Sequence, residues 1–383
     1  MRGRLPKRGI RGQFGPMTSP ILTALAQSLP ATVPFVGPEA QERARGRAFG
    51  ARLGANESLF GPSPLAVRAM QAAAAEAWMY GDPECYGLKS AIAAHHGVTP
   101  AHVVVGEGID GLLGLLVRLL VGPGDAVVTS AGAYPTFNFH VAGFGGVLHR
   151  AAYRRDFEDP EALLDMARTA GAKLIYLANP DNPMGSHHPG AVIKAMLAAL
   201  PEGCLLALDE AYVELAPAGT AIDVAADDPR VIRFRTFSKA HGLAGLRLGY
   251  ALAAPELALA FDKVRNHFGV GRMAQTAGIA ALADAGHLRA VRDWALAGRL
   301  RLGMIARANG LVPLPSATNF VTMDCGRDGD YARRLLGALI QRDIFVRMPG
   351  VAPLDRCIRV SLGDSRATDA FAAALPLALA DLS

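Results

Sequence analysis

The chain has 383 residues, 51% of them hydrophobic, with 42 glycines and 25 prolines. This length and composition suit a turn-rich soluble enzyme of two domains and exclude a fibrous or disordered chain. The formal net charge of +5 does not point to nucleic acid, because Arg2, Arg4, Lys7, Arg8 and Arg11 account for all of it within sixteen residues that hold no acid.

Residues 1–20 read as a disordered basic leader, with Met17 as an alternative start. The stretch Ile21 to Leu29 is short, contains Gln27 and Ser28, and lacks a small-residue cleavage pattern, so it is not read as a signal peptide. Cys85, Cys204, Cys325 and Cys357 are far apart with no C-x-x-C spacing. That excludes a disulfide scaffold or structural zinc and fits a reducing cytoplasm. The strongest apolar run, Leu112 to Val121, is interrupted by Arg118 and is too short to cross a membrane.

Between residues 54 and 275, short apolar runs alternate with helical stretches. The runs are Val103 to Val105, Ala126 to Thr129, Leu174 to Leu177, Leu205 to Leu208 and Val231 to Phe234. This rhythm predicts an α/β fold with a largely parallel sheet covered by helices, whose ligands gather at the carboxyl ends of the strands. From 276 the texture changes to alanine- and arginine-rich helices with strand candidates at Asn319 to Met323 and Ile358 to Ser361. Residues 276–383, joined by 21–53, are expected to form a smaller α+β domain.

Four strand-end clusters follow in order. Gly106-Glu-Gly108-Ile-Asp-Gly111 has the spacing of a dinucleotide fingerprint. The acid that fingerprint needs at the end of the next strand is missing, since Asp125 precedes its strand, so NAD is not expected. The glycine turn into a helix start still offers a phosphate cradle from the amides of Ile109 and Asp110. Next come Asn179-Pro-Asp-Asn-Pro-Met-Gly185, a rigid turn on its blandest reading, and Asp209-Glu-Ala-Tyr212. The fourth is Arg235-Thr-Phe-Ser-Lys-Ala-His-Gly-Leu-Ala-Gly-Leu-Arg247. A lysine at the end of a buried strand is costly unless its amine is used. The common use is a Schiff base with an aldehyde cofactor, and Arg247 eight residues on suits that cofactor's phosphate.

With Gly54-Ala-Asn-Glu57, Phe60 to Pro64, Tyr80-Gly-Asp-Pro83, Asn319-Phe-Val321 and Ile358-Arg-Val360, these segments resemble the pyridoxal-phosphate (PLP) enzymes of fold type I. Within them the chain is most similar to class I/II aminotransferases of the histidinol-phosphate branch, over roughly residues 50 to 365. The resemblance implies a large domain (54–275) with a mostly parallel seven-stranded sheet between helices, a smaller domain from both chain ends, and a homodimer. It implies that Lys239 carries PLP and then acts as the base at the substrate Cα, and that Asp209 faces the pyridine nitrogen. Asn182 and Tyr212 would hold the ring's phenolic oxygen, and Tyr134 would stack on the ring. Ser238, Arg247, Ile109 and Asp110 would hold the phosphate, with Tyr80 reaching the neighbouring subunit's cofactor. Arg359 and Asn182 would take the substrate α-carboxylate, and Arg347 a second anionic group.

The expected reaction moves an amino group between an L-amino acid, or an amino-alcohol phosphate such as histidinol phosphate, and a 2-oxo acid. A decarboxylase of the threonine-phosphate type is the alternative on the same scaffold, and a PLP-binding regulator is a third reading that lacks its DNA-binding module here. No nucleic-acid or membrane partner and no metal are expected: His95-His96 and His187-His188 are sequence neighbours that do not share a helix face. Trp78 and Trp294 are expected to be packing residues. Two segments depart from the family pattern. Met184 stands where a threonine is usual, and Thr32 to Arg47 does not match the tyrosine-bearing segment that helps bind a substrate phosphate.

Overall fold

The computed structural model of the chain describes residues 21–30 and 36–382. The basic leader, and Thr32 to Phe35 of the divergent segment, lie outside the described residues. Twelve strands occur among those residues: β1 Ala51–Arg52, β2 Val103–Gly106, β3 Ala126–Ser130, β4 Val147–Ala151, β5 Leu174–Ala178, β6 Leu205–Asp209, β7 Val231–Thr236, β8 Gly249–Leu252, β9 Val312–Pro313, β10 Phe320–Asp324, β11 Ile344–Phe345 and β12 Cys357–Ser361.

Strands β2 to β8 form the seven-stranded sheet in the order β2-β8-β7-β6-β5-β3-β4, and β8 alone runs against its neighbours. The central strands are largely apolar because both faces are covered, and the alternation appears in what each residue packs against. In β5, Leu174 and Tyr176 pack with Leu112, Leu116 and Phe234 on one face, while Ile175 and Leu177 pack with Leu163 and Ile193 on the other. The helix Gly108–Leu120 buries Leu112, Leu113, Leu116 and Val117, a stripe of helical period laid on the sheet. Each such side chain contributes about 1.5–3 kcal/mol on removal from water.

In the smaller domain, β12-β10-β9 form an antiparallel sheet and β1 pairs in parallel with β11. These strands enclose a core with Leu335, Leu339, Phe371 and Leu375. The first chain end is tied in by backbone bonds from Gly50 to Asp343 (2.8 Å) and Leu53 to Phe345 (2.7 Å), and by ion pairs of Arg45 and Arg47 with Asp343.

The structure corrects two expectations of the sequence. A domain boundary at 275/276 would cut the helix Arg272–Ala283, whose Ala274, Ala277 and Ala281 pack with Leu88 and Ile92 beside the large sheet. The next helix, Ala285–Ala308, capped by Asp284, packs Val291, Ala295 and Leu302 into the other core. Trp78 is not a packing residue. It is 82% exposed, whereas Trp294 does pack against the small-domain core. In the large sheet, β4 and β8 were not anticipated; β8 is short, and β4 carries His149 and Arg150 and lies at the sheet edge.

Candidate active site

The carboxyl ends of β2, β5, β6 and β7 deliver the four sequence clusters to one rim of the sheet. Asp209 is the last residue of β6, in register with Ala178 of β5, and Lys239 follows β7 by three residues. The Asp209 carboxyl is buried, accepting from the Tyr176 hydroxyl (2.7 Å) and the Ala211 amide (2.9 Å). Burial pushes its pKa up to about 6, held from rising further by those two donors and by Lys239. Burial also lowers Lys239, to about 8, helped by the positive charges of Arg359 and Arg247. Its Nζ donates to the main-chain oxygen of Asn56 (3.0 Å) and lies 5.6 Å from the centre of the Tyr212 ring.

The first cluster builds a second corner. Gly108 adopts φ +76°, which turns the chain from β2 directly into the helix Gly108–Leu120. A Cβ on Gly108 would lie 2.6 Å from Nη2 of Arg247, and one on Gly249 would lie 2.9 Å from the amide nitrogen of Ile109. These two glycines let the guanidinium and β8 close on the helix start, where first-turn amides have no intrahelical acceptor. Arg247 also donates to the Ala244 carbonyl (3.0 Å), and Ser238 lies buried two residues after Thr236, whose hydroxyl accepts its amide (3.0 Å). Asp110 pairs through its carboxylate with His140 at 3.0 Å. Asp125, the acid weighed for a dinucleotide ribose, precedes β3 and pairs with Lys173.

The smaller domain supplies the third corner. Arg359 in β12 donates through Nη1 to the Asn182 Oδ1 and through Nη2 to the Gly54 carbonyl (3.1 Å), while its buried Nε has no partner. Its guanidinium lies over Phe320, 5.2 Å from the ring centre. Burial lowers its pKa to about 10, with Arg347 adding a like charge, so it is still a cation at neutral pH. Arg347 pairs its backbone with that of Arg359 and donates to the Val36 carbonyl (2.6 Å). Tyr212 is buried, receives a hydrogen bond from Asn56 Nδ2 (3.2 Å), and burial holds its phenol neutral. Tyr134 is partly buried, and burial raises its phenol too. Tyr80 stands apart, 77% exposed and stacked at 4.7 Å on Phe268. Met184 is buried among Leu354 and Cys357, so its bulk fills the seam between the domains.

Sequence reasoning left two residues without a role. Tyr176 is the only polar side chain in an otherwise apolar strand and donates to Asp209. Asn56 adopts φ +55°, a conformation asparagine tolerates better than most residues. Its amide donates to Ser361 Oγ (3.0 Å), its side chain bonds Ser361 and Tyr212, and its carbonyl accepts from Lys239 and Asn319. The signal for Asn56 was its place inside Gly54-Ala-Asn-Glu57, a segment already matched to the family.

A family model described as aminotransferase class I and II matches residues 50–375. A histidinol-phosphate aminotransferase of Anaeromyxobacter sp. (strain Fw109-5) is 38% identical over 329 residues, covering 85% of this chain and 90% of that protein. The crystal structure of the histidinol-phosphate aminotransferase from Sinorhizobium meliloti in complex with pyridoxal-5'-phosphate superposes with a TM-score of 0.93 at 53% identity, over 96% of this chain and 100% of that one. An aspartate aminotransferase double mutant from Thermus thermophilus gives a TM-score of 0.76 at 25% identity, over 92% and 99%. The convergence of Lys239, Asp209 and Arg359 at the rim of this sheet and the match over most of the chain lead to one conclusion: the chain belongs to the aminotransferase class I and II family.

Proposed function

We propose that this chain is a PLP-dependent aminotransferase that moves an amino group from an amino donor to a 2-oxo acid. The observation that carries the reading is a lysine amine and a buried carboxylate at adjacent strand ends, faced by a buried arginine whose Nε has no partner among the described residues. The residues fit PLP. The helix start at Ile109 and Asp110, with Arg247 packed over Gly108, suits its phosphate. The Asp209 carboxyl, with one hydrogen bond to each oxygen, retains a lone pair for a ring N–H.

When bound, PLP supplies an aldehyde that condenses with amines and a ring that accepts the electron pair released at the substrate Cα. Lys239 would hold the aldehyde, and its amine, whose lowered pKa leaves a useful free fraction near neutrality, would serve as the base for the Cα proton. Asp209 keeps a proton on the ring nitrogen. Tyr212, held neutral by burial, has its own hydroxyl proton to donate to the phenolic oxygen, and Asn182 has its amide N–H, since Oδ1 is taken by Arg359. Arg359 binds the α-carboxylate through its planar fork. Tyr134 covers the ring, and Ser238 adds a hydroxyl to the phosphate corner.

The donor is proposed to be histidinol phosphate or a related amino acid, with Arg347 as the second anion site. Tyr80 and its exposed aromatic neighbours support a homodimer in which Tyr80 reaches the partner subunit's cofactor. Four buried cysteines without disulfides suit the cytoplasm. Among the described residues no helix is long and apolar enough to cross a membrane.

The test is a donor screen with PLP-loaded protein, covering histidinol phosphate, phenylalanine, tyrosine and threonine phosphate. The reading expects the visible chromophore to bleach with the right donor and return with a 2-oxo acid. Carbon dioxide release without recovery would overturn it in favour of a decarboxylase.

A further inference from the structure

Behind Asp209, two carboxyl groups lie deeper than any other acid pair near the site, and no role above uses them. Glu158, in the loop before the helix Pro160–Ala170, is 1% exposed, and Asp181, in the turn after β5, is 2% exposed. Their side chains are in hydrogen-bond contact. Each has its other donors in place. Glu158 accepts from the Ser130 hydroxyl (2.6 Å) and the Ala178 amide (3.0 Å), and Asp181 from the Tyr153 hydroxyl (2.9 Å) and the Met184 amide (3.0 Å). Two ionised carboxylates have no hydrogen to share, and two buried like charges repel strongly. A contact between them requires a proton.

We propose that Glu158 and Asp181 share one proton and act together as positioning residues, clamping the Asn179–Gly185 turn so that Asn182 meets Arg359. The turn is anchored at both ends by this pair. Ala178 immediately precedes it, and Asp181 inside it also closes backbone bonds to Ser186 (2.8 Å) and Gly185 (3.1 Å). Asn182, the next residue, carries the bond to Arg359. The groups facing the pair are Tyr153, Tyr176, Asp209, Arg359 and His188, whose Nε2 contacts the main-chain oxygen of Glu158 (2.8 Å). Only Arg359 among them is a fixed cation, and it is already engaged by Asn182. Burial pushes Asp181 up to about 7 and Glu158 well above the usual carboxylate range, in keeping with the geometry.

The sign of the linkage follows. The folded pair binds a proton that the unfolded chain releases near pH 4, so its stability contribution falls as pH rises from about 4 to about 7 and stays low above that. Glu158→Gln keeps a donor for Asp181, and Ser130 can rotate to accept, leaving one carboxyl with no like charge beside it. Asp181→Asn does the same from the other side.

Melting curves of cofactor-free wild type and both variants between about pH 5 and about pH 8 test the pair. Wild type should lose melting temperature relative to either variant across that range. Parallel curves would overturn the shared proton. Infrared difference spectra of the wild type over the same range should show loss of a protonated-carboxyl stretch larger than in either variant. A wild type without it overturns the proposal even where neither variant folds. Positioning is read from steady-state kinetics of the PLP-loaded enzyme. The wild-type KM for the amino donor, divided by that of Glu158→Gln, should rise about three-fold or more toward alkaline pH, with kcat nearly unchanged. A change in kcat alone would overturn the clamp. This last arm rests on the proposed function, whereas the melting and infrared arms do not, so failure of one reading is distinguishable from failure of the other.

Discussion

In the large domain, Asp209 and Lys239 stand at the ends of adjacent strands of a sheet buried on both faces, and their positions follow from its register. In the smaller domain, Arg359 lies in the middle of a strand and reaches across the seam to Asn182 and the Gly54 carbonyl. The first half is held by a rigid scaffold. The second is held by contacts between segments distant in sequence, Asn56 and Ser361 above all. Such a division suits a site that holds one cofactor permanently while admitting and releasing substrates, because the seam can yield without moving the strand ends.

Substitutions on the two sides should fail differently. Asp209→Ala, on the rigid side, removes the carboxyl proposed to keep a proton on the ring nitrogen. It should lower kcat about 100-fold or more while the protein still folds, as stopped-flow kinetics and far-UV circular dichroism would show. Arg359→Lys, on the seam, keeps the charge and loses the planar fork. It should lower kcat/KM about 10- to 100-fold, chiefly through KM. If Arg359→Lys instead lowered kcat with KM unchanged, the division of labour between the halves would be wrong.

The pH dependence sharpens the same contrast. The rate of PLP uptake by cofactor-free protein should rise about tenfold per pH unit and level off near pH 8, where the Lys239 amine becomes free. Because the folded protein binds this proton less tightly than the unfolded chain, stability is lowest below about pH 8. It recovers as pH rises toward the ordinary lysine value of 10.5. Asn56→Ala tests the seam with the smallest change. It removes the side-chain bonds to Tyr212 and Ser361 and should cost about 1–3 kcal/mol of stability by denaturant titration.

The same contrast explains what was legible in the sequence. Strand-end chemistry is local, so the runs ending at Leu177, Leu208 and Phe234 singled out the polar residues just beyond them by spacing, and the family resemblance supplied their expected roles. The sheet's parallel character was legible for the same reason, since strands buried on both faces read as unbroken apolar runs. The edge strand β4 was not, because its His149 and Arg150 break that pattern. Asn56 and Tyr176 act through partners far away in sequence, and no local pattern marks such pairings. That the helix Arg272–Ala283 stays with the large sheet was missed because it and the helix Ala285–Ala308 have the same alanine-rich texture and differ only in what they pack against.

The central claim is that one amine, on Lys239, holds the cofactor. Incubating the protein with PLP, trapping with borohydride and mapping the labelled peptide by mass spectrometry tests it directly. The account predicts stoichiometric label on Lys239, absent in Lys239→Ala. Label spread over Lys89, Lys173, Lys194 and Lys263, or retained at full stoichiometry in the variant, would contradict it.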